Sequence, residues 1–142
     1  MSSQQQKQPK PFPAEDAVIV GVCAWLTAKA CTFEQRSYVD IVAHAPDGGQ
    51  QWVIEAKGET ANSGLDFRTC LGQILPAMRN DGARYTVAVP ATPASPTRCA
   101  GISDHVRRAL GLHWLLVDRG GQVWLIKPDV LLPDAAFVAE PV

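Results

Sequence analysis

Four cysteines, Cys23, Cys31, Cys70 and Cys99, are scattered along the chain without a single CxxC pair. That spacing makes zinc binding and a disulfide framework poor readings. Three of the four sit among apolar neighbours and read as small core residues kept reduced. Long apolar runs are missing too: the best candidate, 17–26, is too short to span a bilayer, so no membrane partner is expected. The Gln-rich amino terminus has no apolar stretch behind a basic start, so no secretory signal is expected and a cytoplasmic location is the default. Neither GxGxxG nor GxxxxGK[ST] occurs, which removes the familiar glycine-rich phosphate loops. Cys70 and Ser103 lack a recognisable base and orienting acid, so nucleophilic hydrolase chemistry is unsupported. A basic surplus is also wanting: 13 Lys and Arg against 14 Asp and Glu leave a net charge of −1. Contact with nucleic acid would therefore have to come from a local cluster.

What is present suits one ordinary globular domain. The 142 residues are 46% apolar and 19% charged, enough to bury a core unaided. Residues 1–12 are polar, Pro-interrupted and low in complexity, and read as a disordered lead-in. The domain is placed at 13–128 and a tail at 129–142. From 13 to about 30 the pattern is helical, with Pro13 suited to a first turn, Glu15 and Asp16 complementing the helix dipole, and Val18, Val22, Trp25 and Leu26 recurring on one face. Residues 32–45 read as extended, Asp47-Gly48-Gly49 as a hairpin turn, and 51–57 (QWVIEAK) as the returning strand. A polar loop at 58–64 leads to a helix from Asp66 to about Arg79, with Phe67, Cys70, Leu71, Ile74 and Met78 on one face and Pro76 expected to kink it or end it early. YTVAVP at 85–90 reads as a buried strand, and 91–101 as a Pro-rich loop. Ser103 is a plausible N-cap for a short helix ending at Gly111, followed by a second hairpin (114–118 and 122–126) around Arg119-Gly120-Gly121. Helix, strands, helix, strand, helix, strands predicts an α/β sandwich around a mixed central sheet flanked by helices.

The informative stretch is VDIVAHAPDGGQQWVIEAKG. An Asp47-Gly48 loop sets Asp40 opposite Glu55, and a Gly48-Gly49 loop sets it opposite Lys57. Any even-length loop leaves Asp40, Glu55 and Lys57 on one face, since strand side chains alternate with period two. The opposite face would carry Val39, Ile41, Ala43, Trp52, Ile54 and Ala56, all apolar. Two converging carboxylates repel, raising at least one pKa unless a cation lies between them. Mg²⁺ or Mn²⁺, which prefers hard oxygen ligands, would relieve that repulsion, polarise a phosphoryl oxygen and activate a bound water. Lys57 would lie beside that water. Such a trio can equally be a solvated cross-strand ion-pair cluster. Val42 and Val53 share the face with the charges, and a helix follows immediately; both point to a covered face rather than an open one.

An acid in a strand, 14 intervening residues with a hairpin, then Glu-x-Lys closing the next strand resembles the PD-(D/E)xK phosphodiesterase superfamily. That family's core is a helix, three strands, a helix and a further strand, an order that residues 13–127 can follow. IEAKGE followed by a helix containing LGQIL, and HWLLVDRGGQVWLI after the YTVAVP strand, extend the similarity. The resemblance implies a restriction-endonuclease-like fold and a Mg²⁺-dependent nuclease acting on DNA in preference to RNA. It implies Asp40 and Glu55 as metal ligands, the Ala56 carbonyl as a further ligand, and Lys57 as the catalytic lysine. Gln73 matches a glutamine that contacts phosphate or positions the lysine. Glu15 corresponds loosely to an acid some members place on the first helix, although dipole complementation is its simpler role. Val39 stands where many members have proline.

Arg68, Arg98, Arg107 and Arg108 are the arginines best suited to grip phosphate, because a guanidinium forks onto its oxygens. Glu59 reads as a loop carboxylate and His44 as a solvated histidine, and His105 and His113 have no ligand-spaced companions. Met78 and the four tryptophans fall on apolar periodicities and read as core. The apolar segment VLLPDAAFV in the tail is a candidate interface for a homodimer or a partner protein. Two alternatives stand beside the nuclease: an inactive nuclease-like scaffold in a defence or mobile-element complex, and a small ligand-binding domain.

Overall fold

A computed structural model describes residues 8–36, 39–79 and 82–130. Its sheet has six strands in sequential order: β1 (Thr32–Glu34), β2 (Ile41–His44), β3 (Gln51–Ala56), β4 (Ala83–Pro90), β5 (Leu112–Val117) and β6 (Val123–Ile126). The first three form an antiparallel meander, β3, β4 and β5 run parallel, and β6 returns antiparallel to β5. The chain is thus α/β, with an open mixed sheet.

Parallel neighbours need crossovers, and crossovers between parallel strands are right-handed. Strands laid down in one direction therefore put both crossovers on the same face. α2 (Ser63–Ile74) and α3 (Ser95–Ala100) contribute Phe67, Cys70, Ile74 and Cys99 to one apolar cluster with Val42, Val53, Val87 and Trp114. The other face is left to α1 (Glu15–Ala28), whose Val18, Val22 and Leu26 pack on Ile41, Trp52, Ile54 and Leu115. Alternation along β3 sends Trp52, Ile54 and Ala56 to α1, and Val53 to α2.

Local signals account for the helix ends. The Asn62 side chain accepts from Leu65 N at 3.0 Å and starts α2 three residues before Asp66, earlier than expected; Pro76 then converts its end to a 3₁₀ turn, Leu75–Ala77. Ser103 caps α4 (Asp104–Leu110) by accepting from Val106 N, and Gly111, at φ 63°, closes it in the left-handed region that favours glycine.

Several expectations need correction. The 91–101 loop contains α3, with Pro96 in its first turn, a position where proline's missing N–H costs nothing. Residues 32–45 are two strands, since Thr32 pairs with His44 and the chain doubles back between them. Val39 does not share the α1 face: β2 begins only at Ile41, so alternation fails before it and Val39 packs with Val42 and Val53. Of the tryptophans, Trp52 and Trp114 are core, but Trp25 is half-buried and Trp124, on the edge strand, is 37% exposed. Cys70 and Cys99 are buried, Cys23 and Cys31 half-buried, and all four are free thiols. Among the described residues no helix is long and apolar enough to cross a membrane. Most of the lead-in (1–7), Tyr38 and most of the tail segment expected to form an interface (131–142) lie outside the described residues.

Candidate active site

β2 and β3 pair with Ile41 opposite Ile54 and Val42 opposite Val53. One step further along that register, Asp40 faces Glu55, the outcome an Asp47-Gly48 loop requires. Gly48 adopts φ 75° in the turn, and Gly49 N donates to Asp47 Oδ1 at 2.8 Å.

Asp40 lies just outside β2 and takes over a position in its ladder. The amides of Trp52 and Ile54 lie on the β2 side of β3, and Ala56 N is next in that row. It finds no strand there and donates to Asp40 Oδ2 at 2.7 Å instead. In extended backbone the N–H and C=O of one residue point the same way, so the Ala56 carbonyl also lies on the Asp40 side. On the other edge, Lys57 N donates to Ala88 O at 3.0 Å and carries the strand direction one residue past β3.

Glu55 is buried, at 5% exposure, and Asp40 is half-buried. Burial, followed by the Asp40 charge and a hydrogen bond to its side chain, pushes the Glu55 carboxyl up to about 8, although the Asp40 backbone amide works the other way. Beneath them the Cys70 thiol donates to Glu55 O at 3.4 Å, and burial raises that thiol far enough to keep it neutral. A groove opens over the pair, walled by Arg36, Val39, Gly72, Gln73 and Pro76.

Lys57 reaches the other way. Its ammonium lies 3.9 Å from Glu15 Oε1 rather than beside either acid of the pair. Glu15 opens α1 and belongs to the same electrostatic cluster. Burial and then Asp40 raise its carboxyl, with Lys57 opposing. Glu15 thus both begins a helix and faces the site. Lys57 and Glu15 share a second opening with Lys10, Asp16, Gly58 and Thr60.

The arginines separate. Arg98 donates to Ser63 Oγ at 3.1 Å and flanks a cleft with Gly58, Glu59 and Asp66, close to the loop that follows Lys57. Arg68 is exposed on α2. Arg108 lies at the amino-terminal ends of β4 and β5, with Arg79 and Tyr85, whereas the acid pair is at the carboxyl end of β3. Arg107 is not a surface group at all. It is fully buried, bound to Asp104 at 2.5 Å, Val130 O at 2.7 Å and Lys127 O at 3.3 Å, so it braces α4 against the end of β6 and is closed to any ligand. No sequence signal singles out Arg36, whose guanidinium binds Glu34 at the rim of the acid groove. Its position beside the β1–β2 turn follows from the strand pairing, which no local pattern encodes.

Glu59 behaves as a loop carboxylate, accepting from Thr92 Oγ1 at 2.5 Å. His44 is exposed, and His113 Nδ1 donates to Gly111 O at 3.0 Å, far from the pair. Among the described residues, no three His, Cys, Asp or Glu side chains gather into a metal cage by themselves. The donors that do meet are the two carboxylates, with the Ala56 carbonyl on the Asp40 side of β3. Comparison with known protein families, with curated proteins and with solved structures found no match.

Proposed function

We propose that this chain is a restriction-endonuclease-like, divalent-metal-dependent nuclease that hydrolyses phosphodiester bonds, with DNA its preferred substrate. The observation that carries the reading is the meeting of Asp40 and Glu55 at the end of β3. One of the two is buried and so reluctant to ionise that its carboxyl rises to about 8. A pair in that condition lacks a positive charge, and Lys57 does not supply it, being turned to Glu15. Hard oxygen donors, two of them anionic, suit Mg²⁺ or Mn²⁺. Asp40, Glu55 and the Ala56 carbonyl would hold the ion; Glu15, which feels the Asp40 charge, stands next in line. The element order supports the same reading: α1, a three-stranded meander, α2 and β4 follow the order of the PD-(D/E)xK core.

When bound, such an ion supplies Lewis-acid stabilisation of a phosphoryl oxygen and lowers the pKa of a coordinated water. The chain's own groups do the rest. Lys57, on a flexible stem at the strand end, places its ammonium against charge developing on phosphate. Gln73 offers an amide at the groove wall, and Arg36 a guanidinium at its rim. Arg98 and Arg68, further along the α2 side, extend the cationic path that a net charge of −1 otherwise denies. A homodimer or a partner protein would set its specificity.

The test is Mg²⁺-dependent cleavage of plasmid DNA, abolished in Asp40→Ala and Lys57→Ala with folding intact. Unchanged activity in both variants would overturn the assignment. One observation favours a second reading, a nuclease-like scaffold without activity: Lys57 already has Glu15, and Asp40 already has the Ala56 amide. That reading expects no cleavage from the unmodified protein under any divalent ion.

A further inference from the structure

Gly58 occupies the tightest contact around the site. A Cβ built on it would stand 2.2 Å from Glu15 N, 2.7 Å from Ala14 C and 3.0 Å from Ala14 Cα. All three are backbone atoms at the start of a helix, so none can swing aside as the tip of a side chain would. The contact is hydrogen-bonded on one side and braced on the other. Glu59 N donates to Pro13 O at 2.8 Å, and Lys57 N donates to Ala88 O at 3.0 Å. The segment leaving β3 is therefore fastened to β4 just before Gly58 and to the start of α1 just after it. Within this closure Glu15 Oε1 comes to 3.9 Å from Lys57 Nζ.

We propose that Gly58 is a positioning residue for Lys57: having no side chain, it lets the first turn of α1 close onto the end of β3, so that Glu15 holds the Lys57 ammonium at the mouth of the site, turned away from the acid pair. The opening of α1 is then part of the site. A four-carbon lysine stem samples many rotamers, and fixing it at one end of its range costs conformational entropy. Glu15 supplies the fixed anionic partner that offsets the cost, and Gly58 sets where that partner stands. The reason Lys57 needs placing depends on the nuclease reading above; the contact itself does not.

Two measurements keep those matters apart. In the metal-free protein, the acylation rate of Lys57 by an amine-specific reagent is followed by mass spectrometry, with exposed Lys29 and Lys127 as internal references. An ammonium must leave its carboxylate before it reacts. Lys57 is expected to react several-fold more slowly than the references in the unmodified protein, and to approach their rate in Gly58→Ala and in Glu15→Gln. Glu15→Gln alters only a half-buried side chain and decides the matter if Gly58→Ala fails to fold. Equal Lys57 reactivity in the unmodified protein and Glu15→Gln overturns the proposal. Plasmid cleavage is the second measurement. Gly58→Ala and Glu15→Gln are expected to lower kcat about tenfold with KM within about twofold, as misplacement of a group acting in the transition state should. Equal kcat in all three proteins also overturns the proposal. Absence of cleavage from the unmodified protein counts against the nuclease reading alone, and the acylation rates then judge the joint.

Discussion

Asp40 Oδ2 accepts a hydrogen bond from Ala56 N at 2.7 Å, so a side chain completes the β2–β3 ladder where the strand itself is absent. The carboxylate therefore has a structural and an electrostatic task, and substitutions divide them. Asp40→Asn keeps an acceptor for Ala56 N and should cost under about 1 kcal/mol, while Asp40→Ala leaves a buried donor unsatisfied and should cost about 1–3 kcal/mol. Both should abolish cleavage. Urea denaturation beside plasmid cleavage measures the two effects; equal stability of the two variants would show that the bond contributes nothing.

Glu55 makes stability depend on pH. Its carboxyl, pushed up to about 8 by burial and by Asp40, binds a proton more tightly in the folded chain than in the unfolded one. Protonation therefore favours folding. The stabilisation is present at pH below the ordinary glutamate range and is lost as pH rises through that range towards 8. Each tenfold difference in proton affinity between the folded and unfolded chains is about 1.4 kcal/mol, so melting temperatures of the metal-free protein should fall measurably between pH 5 and pH 8. Glu55→Gln should flatten that slope and raise the melting temperature at pH 8. A slope unchanged by the substitution would remove Glu55 as its source.

The same proton competes with a cation. Mg²⁺ should raise the melting temperature more at pH 8 than at pH 5, and calorimetry in buffers of different ionisation heat should show proton release on binding. Glu55→Gln should abolish both effects.

Gln73 and Arg36 wall the groove over the acid pair, whereas Arg108 stands at the other end of β4. All three are exposed, so alanine substitution should leave folding within about 0.5 kcal/mol. Gln73→Ala and Arg36→Ala should weaken cleavage by roughly tenfold, about 1.4 kcal/mol of lost stabilisation, and Arg108→Ala should cleave normally. Steady-state cleavage rates decide it; loss of activity in Arg108→Ala would move the substrate path to the opposite end of the sheet.

Arg107 should matter to folding alone. Removing a fully buried guanidinium strips partners from Asp104, Lys127 O and Val130 O and leaves a void, so Arg107→Ala should cost about 3–5 kcal/mol. Protein that remains folded at low temperature should cleave at the normal rate.

Much of the site is legible in the sequence because its signals are local. Period-two alternation puts Asp40, Glu55 and Lys57 on one parity, while the turn residues leave two registers open and the strand pairing selects the one that brings Asp40 to Glu55. Ser103 and Gly111 bound α4, and Pro76 ends the α-helical part of α2, through effects spanning a turn or less. The Pro-rich stretch reads as a loop yet holds α3, because Pro96 would break a helix interior but suits a helix start, and composition does not say which position it holds.

The sequence by itself determined the α/β class, the acid-bearing hairpin and the apolar alternation of β3, since each follows from side-chain periodicity and turn chemistry within a few residues. Only the tertiary structure decided which way Lys57 points, that Glu15 meets it, that Gly58 admits the start of α1, and that Arg107 is a brace rather than a ligand contact. Those outcomes depend on contacts between segments tens of residues apart. Their distances are set by how helices pack on both faces of one sheet, which no local pattern records.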